Sequence, residues 1–169
     1  SNALQTDLKG FSVMNYATSH DDGWPFDKKR ERIFEAATKL LLTPGISQIY
    51  YGDETARSLE IEGTNGDATL RSMMNWDDLI TSKSTYKLLF HYQRLGQFRA
   101  KHAAIGTGKH HKISESPYVF SRCLTHDAFI DEVLVALDLP LGEKEIPVNN
   151  FFENGTKVHD FYSGTDAIV

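Results

Sequence analysis

The stretch that decides the fold lies at residues 40–54 and reads LLLTPGISQIYYGDE. Its Pro44-Gly45 pair separates a helix end from a short strand, because proline and glycine stop a helix and turn the chain. Upstream, behind the candidate cap Asp27, apolar residues recur at helical spacing: Ile33, Phe34, Ala37, Leu40 and Leu41. Downstream, residues 46–51 have the apolar, aromatic character of a strand. A helix joined to a strand in this way is typical of an α/β fold.

A second strand and a second helix surround this stretch. Residues 11–17 (FSVMNYA) predict a buried strand, and a helix is expected from about Thr85 to Lys101, capped by Ser82 or Ser84. Both strands are almost continuously apolar, which is the pattern of parallel strands covered on both faces. Two such strands need neighbours, so we expect further strands upstream of this chain.

The last third of the chain is β-rich. Strands are predicted at residues 118–122, at 133–137 and at Phe151-Phe152, and the following Asn154-Gly155 is a strong hairpin signal. The pattern therefore predicts an α/β part followed by an all-β part, with the boundary near residues 102–106.

Composition restricts the class of protein. The chain has 169 residues, a formal net charge of -5, 40% hydrophobic residues and 24% charged residues, which are globular values. A mildly acidic chain without a basic block is a poor partner for nucleic acid, and no apolar run could span a membrane. The single Cys123 predicts neither an internal disulfide nor a zinc site. Residues 1–3 (SNA) lack an initiator methionine and are typical of a tag scar, so they are excluded from the fold.

Ionisable residues follow the first strand directly. His20, Asp21 and Asp22 lie where α/β folds bind ligands, at the carboxyl end of a strand. An ionised Asp there could stabilise positive charge that develops on a substrate, and a neighbouring His could donate a hydrogen bond to a hydroxyl. The alternative is that Asp21 and Asp22 only cap the next segment. Ser19-His20-Asp21 is not interpreted as a catalytic triad, because adjacent side chains in an extended segment point to opposite faces.

Other polar residues are interpreted as structural. Asp53-Glu54, after the second strand, is expected to be a solvated turn or a helix cap. His110-His111 on a polar stretch is expected to be solvated, with no metal site. Trp76 and the neighbouring Met73 and Met74 are expected to pack locally.

Four motifs, in order and at matching spacings, resemble the α-amylase family of glycoside hydrolases. They are the strand-7 motif at residues 11–22, the strand-8 signature at 40–54, the Arg-x-x-Met-x-Trp segment at 71–77 and the end of helix 8 at 97–106. Ser19 departs from the usual Asn. This Ser-His-Asp form is similar to a branch of the family that includes bacterial periplasmic α-amylases.

The resemblance implies a fold and a domain division. Residues 4–104 would be the last two βα units of a (β/α)8 TIM barrel, which is the catalytic domain of the family. Residues 105–169 would be its C-terminal antiparallel β-sandwich domain, whose final strands could be absent. Because strands 1 to 6 of the barrel would lie upstream, the resemblance implies that this chain is a fragment.

The resemblance also implies an activity for the parent protein: hydrolysis of α-1,4-glucosidic bonds in starch-like glucans with retention of configuration. Retention needs a nucleophile and a general acid, which the family carries on strands 4 and 5. The fragment lacks both and is expected to be inactive alone. Asp21 matches the family's transition-state carboxylate and His20 matches a sugar-binding histidine. Arg71 and Trp76 would lie near outer subsites.

The same resemblance gives the expected partners and location. The parent's substrate would be an α-glucan or maltooligosaccharide, in the periplasm or outside the cell. No cofactor is expected in this chain, although the parent could bind calcium. The open edges of two barrel strands predict self-association of the fragment. Two alternatives remain: a carbohydrate-binding module using exposed Tyr118 or Phe151, and a non-catalytic amylase-like scaffold.

Overall fold

A computed structural model describes residues 10–140, 142–148 and 151–169. The proposed tag scar at residues 1–3 lies outside them. The chain forms two compact units, Ser1–Gln97 and Phe98–Val169, and the division falls within its long helix. The first unit has α/β character and the second is β-rich, in agreement with the predicted order. In the part of the chain that is described, no helix is both long and apolar enough to cross a membrane.

The first unit contains a parallel β–α–β arrangement. Its elements are β1 (Met14–Tyr16), α1 (Ile33–Leu42), β2 (Ile46–Gln48), α2 (Asp78–Thr81) and α3 (Lys83–Lys101). The register pairs Met14 with Ile46 and Tyr16 with Gln48, so β1 and β2 run in the same direction. Each strand has only three residues and is shorter than the sequence predicts.

The Pro44-Gly45 turn fixes how β2 meets β1. Gly45 adopts a φ of +94°, and a Cβ at this position would clash with the carbonyl oxygen of Val13. The side-chain amide of Asn15 donates to the carbonyl of Pro44 at 2.9 Å. Only glycine fits here without strain, because the two strands approach each other closely at the turn.

The strands are more exposed than predicted. Met14 is 56% exposed, Tyr16 48% and Ile46 56%, so the expectation of two fully covered strands is wrong for this chain. The reason is physical: a two-stranded sheet cannot bury both faces of strands that are apolar on both sides.

The two long helices form as their periodicity predicts. Helix α1 buries the apolar face made by Ala36, Ala37, Leu40, Leu41 and Leu42. Asp27 is not the N-cap that the sequence suggests for this helix, because the N-cap position is Arg32 and has no side-chain capping bond. The Asp27 carboxylate instead accepts the backbone N–H groups of Glu31 and Arg32, ahead of the helix, at 2.9 and 2.8 Å. Helix α3 begins near its predicted start, and the Ser82 hydroxyl accepts the Thr85 N–H at 3.2 Å. Between the helices, the polar stretch folds around a small buried cluster of Tyr50, Leu59 and Leu70.

Where it is described, the second unit contains the end of α3, one short helix and two antiparallel sheets. Its elements are α4 (Ala104–Thr107), β3 (Lys109–Glu115), β4 (Tyr118–His126), β5 (Phe129–Leu137), β6 (Lys157–Asp160) and β7 (Thr165–Ile168). One sheet has the order β3-β4-β5, and β6 pairs with β7. Strands β4 and β5 contain the two predicted runs but are longer, because antiparallel pairing extends from Tyr118–Leu137 to His126–Phe129.

Two predictions for this unit are wrong. Phe151-Phe152 is a bend rather than a strand, and Asn154-Gly155 is a turn ahead of β6 rather than the connection of a hairpin. The hairpin turn lies instead at residues 161–164, where the Asp160 carboxylate accepts the Tyr162 N–H at 2.9 Å. Asn154-Gly155 is held differently, by a bond of 2.8 Å from the Gly155 N–H to the Val169 carbonyl.

A buried carboxylate joins α4 to β5. The Asp131 carboxylate accepts the Ala104 N–H at 2.8 Å and lies 2.8 Å from Nδ1 of His102. Asp131 is 9% exposed. It therefore satisfies a backbone donor at the start of α4 that water could not reach.

We expect Asp131→Ala to destabilise the second unit by about 2 kcal/mol, because a buried N–H would lose its acceptor. Glu132→Ala, at the exposed neighbouring position, is the matched control and should change stability by less than about 0.5 kcal/mol. Both tryptophans lie in the first unit, so the measurement is hydrogen exchange of the β4 and β5 amides. Equal exchange in the two variants would contradict this role of Asp131.

Candidate functional site

The loop after β1 brings Ser19, His20 and Asp21 together. The chain bends at His20 and Asp21, and the Ser19 hydroxyl donates to Oδ1 of Asp21 at 2.9 Å. Nε2 of His20 lies 3.7 Å from Oδ2 of Asp21, and the two side chains are 61% and 62% exposed. An imidazole and a carboxylate are therefore presented side by side to solvent, at the carboxyl end of a parallel strand.

The prediction that Ser19, His20 and Asp21 form an extended segment is wrong. The chain is bent here, and the side chains of Ser19 and His20 both lie close to that of Asp21. A nucleophile relay nevertheless needs the imidazole between hydroxyl and carboxylate. Here the Ser19 hydroxyl bonds directly to the Asp21 carboxylate. The arrangement orients a carboxylate and does not activate a serine.

The neighbouring carboxylates of Asp22 and Asp27 accept backbone N–H groups. Oδ1 of Asp22 accepts the Trp24 N–H at 2.9 Å and closes a local turn. Asp27 accepts the two backbone donors ahead of α1. The Asp21 carboxylate instead accepts its bond from the Ser19 hydroxyl, and most of the Asp21 side chain is exposed to solvent.

Arg71 reaches this loop through its side chain. Its Nε donates to the backbone carbonyl of His20 at 3.2 Å. This bond ties the backbone of the loop, at His20, to the segment that carries Arg71.

Trp76 and its neighbours do not pack locally as expected. Met73 is 90% exposed and Trp76 is 66% exposed, so that interpretation is wrong for both residues. They belong to the extended connection between the 3₁₀ turn Gly66–Arg71 and α2, which leaves large apolar side chains in solvent.

Asp53 is neither a solvated turn residue nor a simple cap. It is 2% exposed, and its Oδ1 accepts a bond of 2.8 Å from the Arg30 guanidinium. Burial raises the pKa of this carboxyl, and the positive charge of Arg30 opposes that increase. Arg30 itself adopts a φ of +59°, a conformation uncommon for residues other than glycine, and its Nε also donates to the Arg57 carbonyl at 2.9 Å.

Arg57 is a structural centre that the sequence analysis missed. It is completely buried, and its guanidinium donates to the carbonyls of Tyr51, Leu70 and Ser72 at 3.0, 3.2 and 3.1 Å. The guanidinium carbon also lies 3.9 Å from the centre of the Tyr51 ring. No local pattern in the sequence marks Arg57. In the structure its side chain fills the space beside Gly52, whose φ is +80° and where a Cβ would lie 2.6 Å from Arg57.

The other candidates lie in the second unit. His110 and His111 are exposed on β3, and partial burial together with the Arg122 charge lowers the pKa of His110. Tyr118 and Phe151 are half-buried rather than open platforms for a sugar. Among the described residues, no group of three or more His, Cys, Asp or Glu side chains could hold a metal ion.

The β–α–β unit, with polar side chains exposed at the carboxyl end of β1, defines an α/β protein. No protein-family model matches the chain. Over 102 residues, or 60% of this chain, the sequence is 44% identical to the periplasmic alpha-amylase of Escherichia coli (strain K12). The matched part of the chain is therefore α-amylase-like. The match covers 14% of the length of that relative, so this chain corresponds to a small part of it.

The Arg30–Asp53 pair leads to a prediction about stability. Arg30→Met should lower the free energy of unfolding at neutral pH by about 3 kcal/mol, because it leaves a buried carboxylate without its partner. Lys29→Met, at the exposed neighbouring position, is the matched control. Urea denaturation followed by tryptophan fluorescence measures the first unit, which contains Trp24 and Trp76.

The pH dependence of this deficit follows from the raised pKa of Asp53. A carboxyl with a higher pKa in the folded state holds more protons there than in the unfolded chain, so folding loses stability as the pH rises through the folded pKa. Because the charge of Arg30 opposes the increase in the pKa of Asp53, removing Arg30 enlarges this loss of stability at neutral pH. The deficit of Arg30→Met should shrink as the pH falls toward the ordinary value of 3.8. A deficit that is independent of pH would show that lost packing, rather than the buried charge, is responsible.

Proposed function

We propose that this chain is part of an α-amylase-type glycoside hydrolase that cleaves α-1,4-glucosidic bonds in starch-like glucans with retention. The observation that carries the proposal is the exposed His20–Asp21 pair at the carboxyl end of β1. The 44% identity to a periplasmic alpha-amylase supports it. On this proposal, β1 and β2 with their helices are the last two βα units of a TIM barrel, and the second unit is the C-terminal β-sandwich domain.

Asp21 and His20 have distinct roles in the proposed reaction. The glycosidic bond breaks through a transition state in which positive charge develops on the sugar ring. The Asp21 carboxylate, oriented by Ser19, would stabilise that charge through its solvent-facing oxygen. The His20 imidazole would donate a hydrogen bond to a sugar hydroxyl. The exposed Trp76 ring would contact sugars at an outer subsite.

The covalent step needs two further carboxyl groups, one as nucleophile and one as general acid. In the proposed protein they come from barrel strands 4 and 5, which are not part of this sequence. We therefore propose that this chain binds α-glucan weakly and does not hydrolyse it. The name of the relative supports a periplasmic location, and calcium binding elsewhere in a longer protein stays a prediction.

The test is titration of the chain with maltoheptaose, followed by NMR. We expect shifts at His20 and Asp21 with a Kd of about 1 mM, a weak interaction because few contacts are available. Asp21→Asn should weaken binding about tenfold, since it removes a charge-assisted hydrogen bond. Asp22→Asn removes the same charge from the adjacent position and should leave binding unchanged.

Two outcomes would contradict the proposal. Equal binding by the Asp21 and Asp22 variants would show that Asp21 does not contact the sugar. Release of reducing ends from soluble starch by the repurified chain would show that the two missing carboxyl groups are not needed.

The exposed faces of β1 and β2 support a second property of this chain, self-association. Met14 and Ile46 are each 56% exposed on short strands whose outer edges can pair with another copy. We expect the mass from light scattering to rise with concentration. Met14→Glu should reduce this rise, whereas Met73→Glu, which adds the same charge away from the sheet, should not. A monomer at all concentrations would contradict self-association.

A further inference from the structure

The loop from Arg57 to Ser72 connects the segment after β2 to the candidate site. It begins at the fully buried Arg57 and ends beside Arg71, whose side chain reaches the His20 carbonyl. We call residues 57–72 the bridging loop.

The Arg57 guanidinium holds both ends of the bridging loop against β2. Its Nε donates at 3.0 Å to the carbonyl of Tyr51, in the turn that follows β2. Its two terminal nitrogens donate to the carbonyls of Leu70 and Ser72, at 3.2 and 3.1 Å. A buried cation needs such acceptors, because its loss of hydration must be compensated. The three carbonyls are therefore held in one arrangement around a single planar group.

Leu70 and Ser72 are the residues on either side of Arg71. Fixing their carbonyls fixes the backbone of Arg71 and hence the origin of its side chain. From there, Nε of Arg71 donates to the His20 carbonyl at 3.2 Å. This distance is at the long end of the hydrogen-bond range, so a small displacement of residues 70–72 would break the bond.

We propose that Arg57 is a positioning residue for the His20–Asp21 pair and acts through Arg71. The buried guanidinium fixes residues 70–72, Arg71 fixes the backbone of His20, and His20 and Asp21 are thereby held beside each other. Sugar recognition by the pair rests on the proposed function, whereas the positioning itself does not.

The test compares backbone order in the loop after β1 with order in the bridging loop. ¹⁵N relaxation of the wild-type chain should give order parameters of about 0.85 at His20, Asp21 and Ser72, as in rigid backbone. Arg71→Ala should lower the values at His20 and Asp21 to below about 0.6 and leave Ser72 rigid. Arg71→Lys should restore part of the order, because its ammonium can donate to the same carbonyl. Lys87→Ala, which removes an exposed cation from α3, should change none of these values.

Arg57→Lys tests the first step of the proposed linkage. Lysine keeps the charge but lacks the planar set of donors, so order should fall at Ser72 and also at His20 and Asp21. Ser72→Ala removes a hydroxyl that accepts from Arg57 and donates to the Ser58 carbonyl, and it provides a milder variant if Arg57→Lys does not fold. It should lower order at the same three positions by a smaller amount.

The proposal is overturned if Arg71→Ala leaves His20 and Asp21 as ordered as in the wild type. It is also overturned if the Arg57 or Ser72 variant loosens Ser72 without affecting His20 and Asp21. Titration of each variant with maltoheptaose separates this proposal from the proposed function. Loss of order without any glucan binding, even in the wild type, would confirm the positioning and reject the glucan site.

Discussion

The first unit depends on the burial of one positive charge, that of Arg57. A cation removed from water is strongly unfavourable unless acceptors surround it, and breaking such an arrangement costs about 3–5 kcal/mol. The acceptors here are the carbonyls of Tyr51, Leu70 and Ser72, and the Tyr51 ring covers one face of the guanidinium. Because these carbonyls belong to segments far apart in sequence, the turn after β2 and the residues around Arg71 cannot move independently.

The two glycines of the stretch 40–54 serve this arrangement in different ways. Gly45 lets β2 begin against the Val13 carbonyl, so it sets the pairing of β1 with β2. Gly52 leaves the space that the Arg57 side chain fills, since a Cβ there would lie 2.6 Å from it. The turn into β2 and the packing beyond its end thus both depend on the absence of a side chain.

The parts of the fold that could be predicted are those whose signals are local. Helices α1 and α3 form where apolar spacing indicates them, and Ser82 lies where a cap of α3 is predicted, because these interactions lie within a few residues. Strand lengths depend on the partner, and β3, with the polar sequence KHHKISE, has no apolar alternation to show it. The burial of Asp53 and Arg57 could not be predicted, since their partners Arg30 and Leu70 lie 23 and 13 residues away. The His20–Asp21 loop was found because it follows a strand directly, whereas its link to Arg71 spans 51 residues.

The exposure of the His20–Asp21 pair sets a limit on what it can do in this chain. Two unit charges 4 Å apart interact by about 1 kcal/mol in water but by about 4 kcal/mol in the environment of a protein surface cleft. With 62% of its side chain in solvent, the Asp21 carboxylate is closer to the first condition. Ser19 and Arg71 set the position of the His20–Asp21 pair, but the pair is surrounded by water rather than by a low-dielectric cleft. A strong electrostatic interaction of Asp21 with a positive charge therefore requires other groups to displace that water.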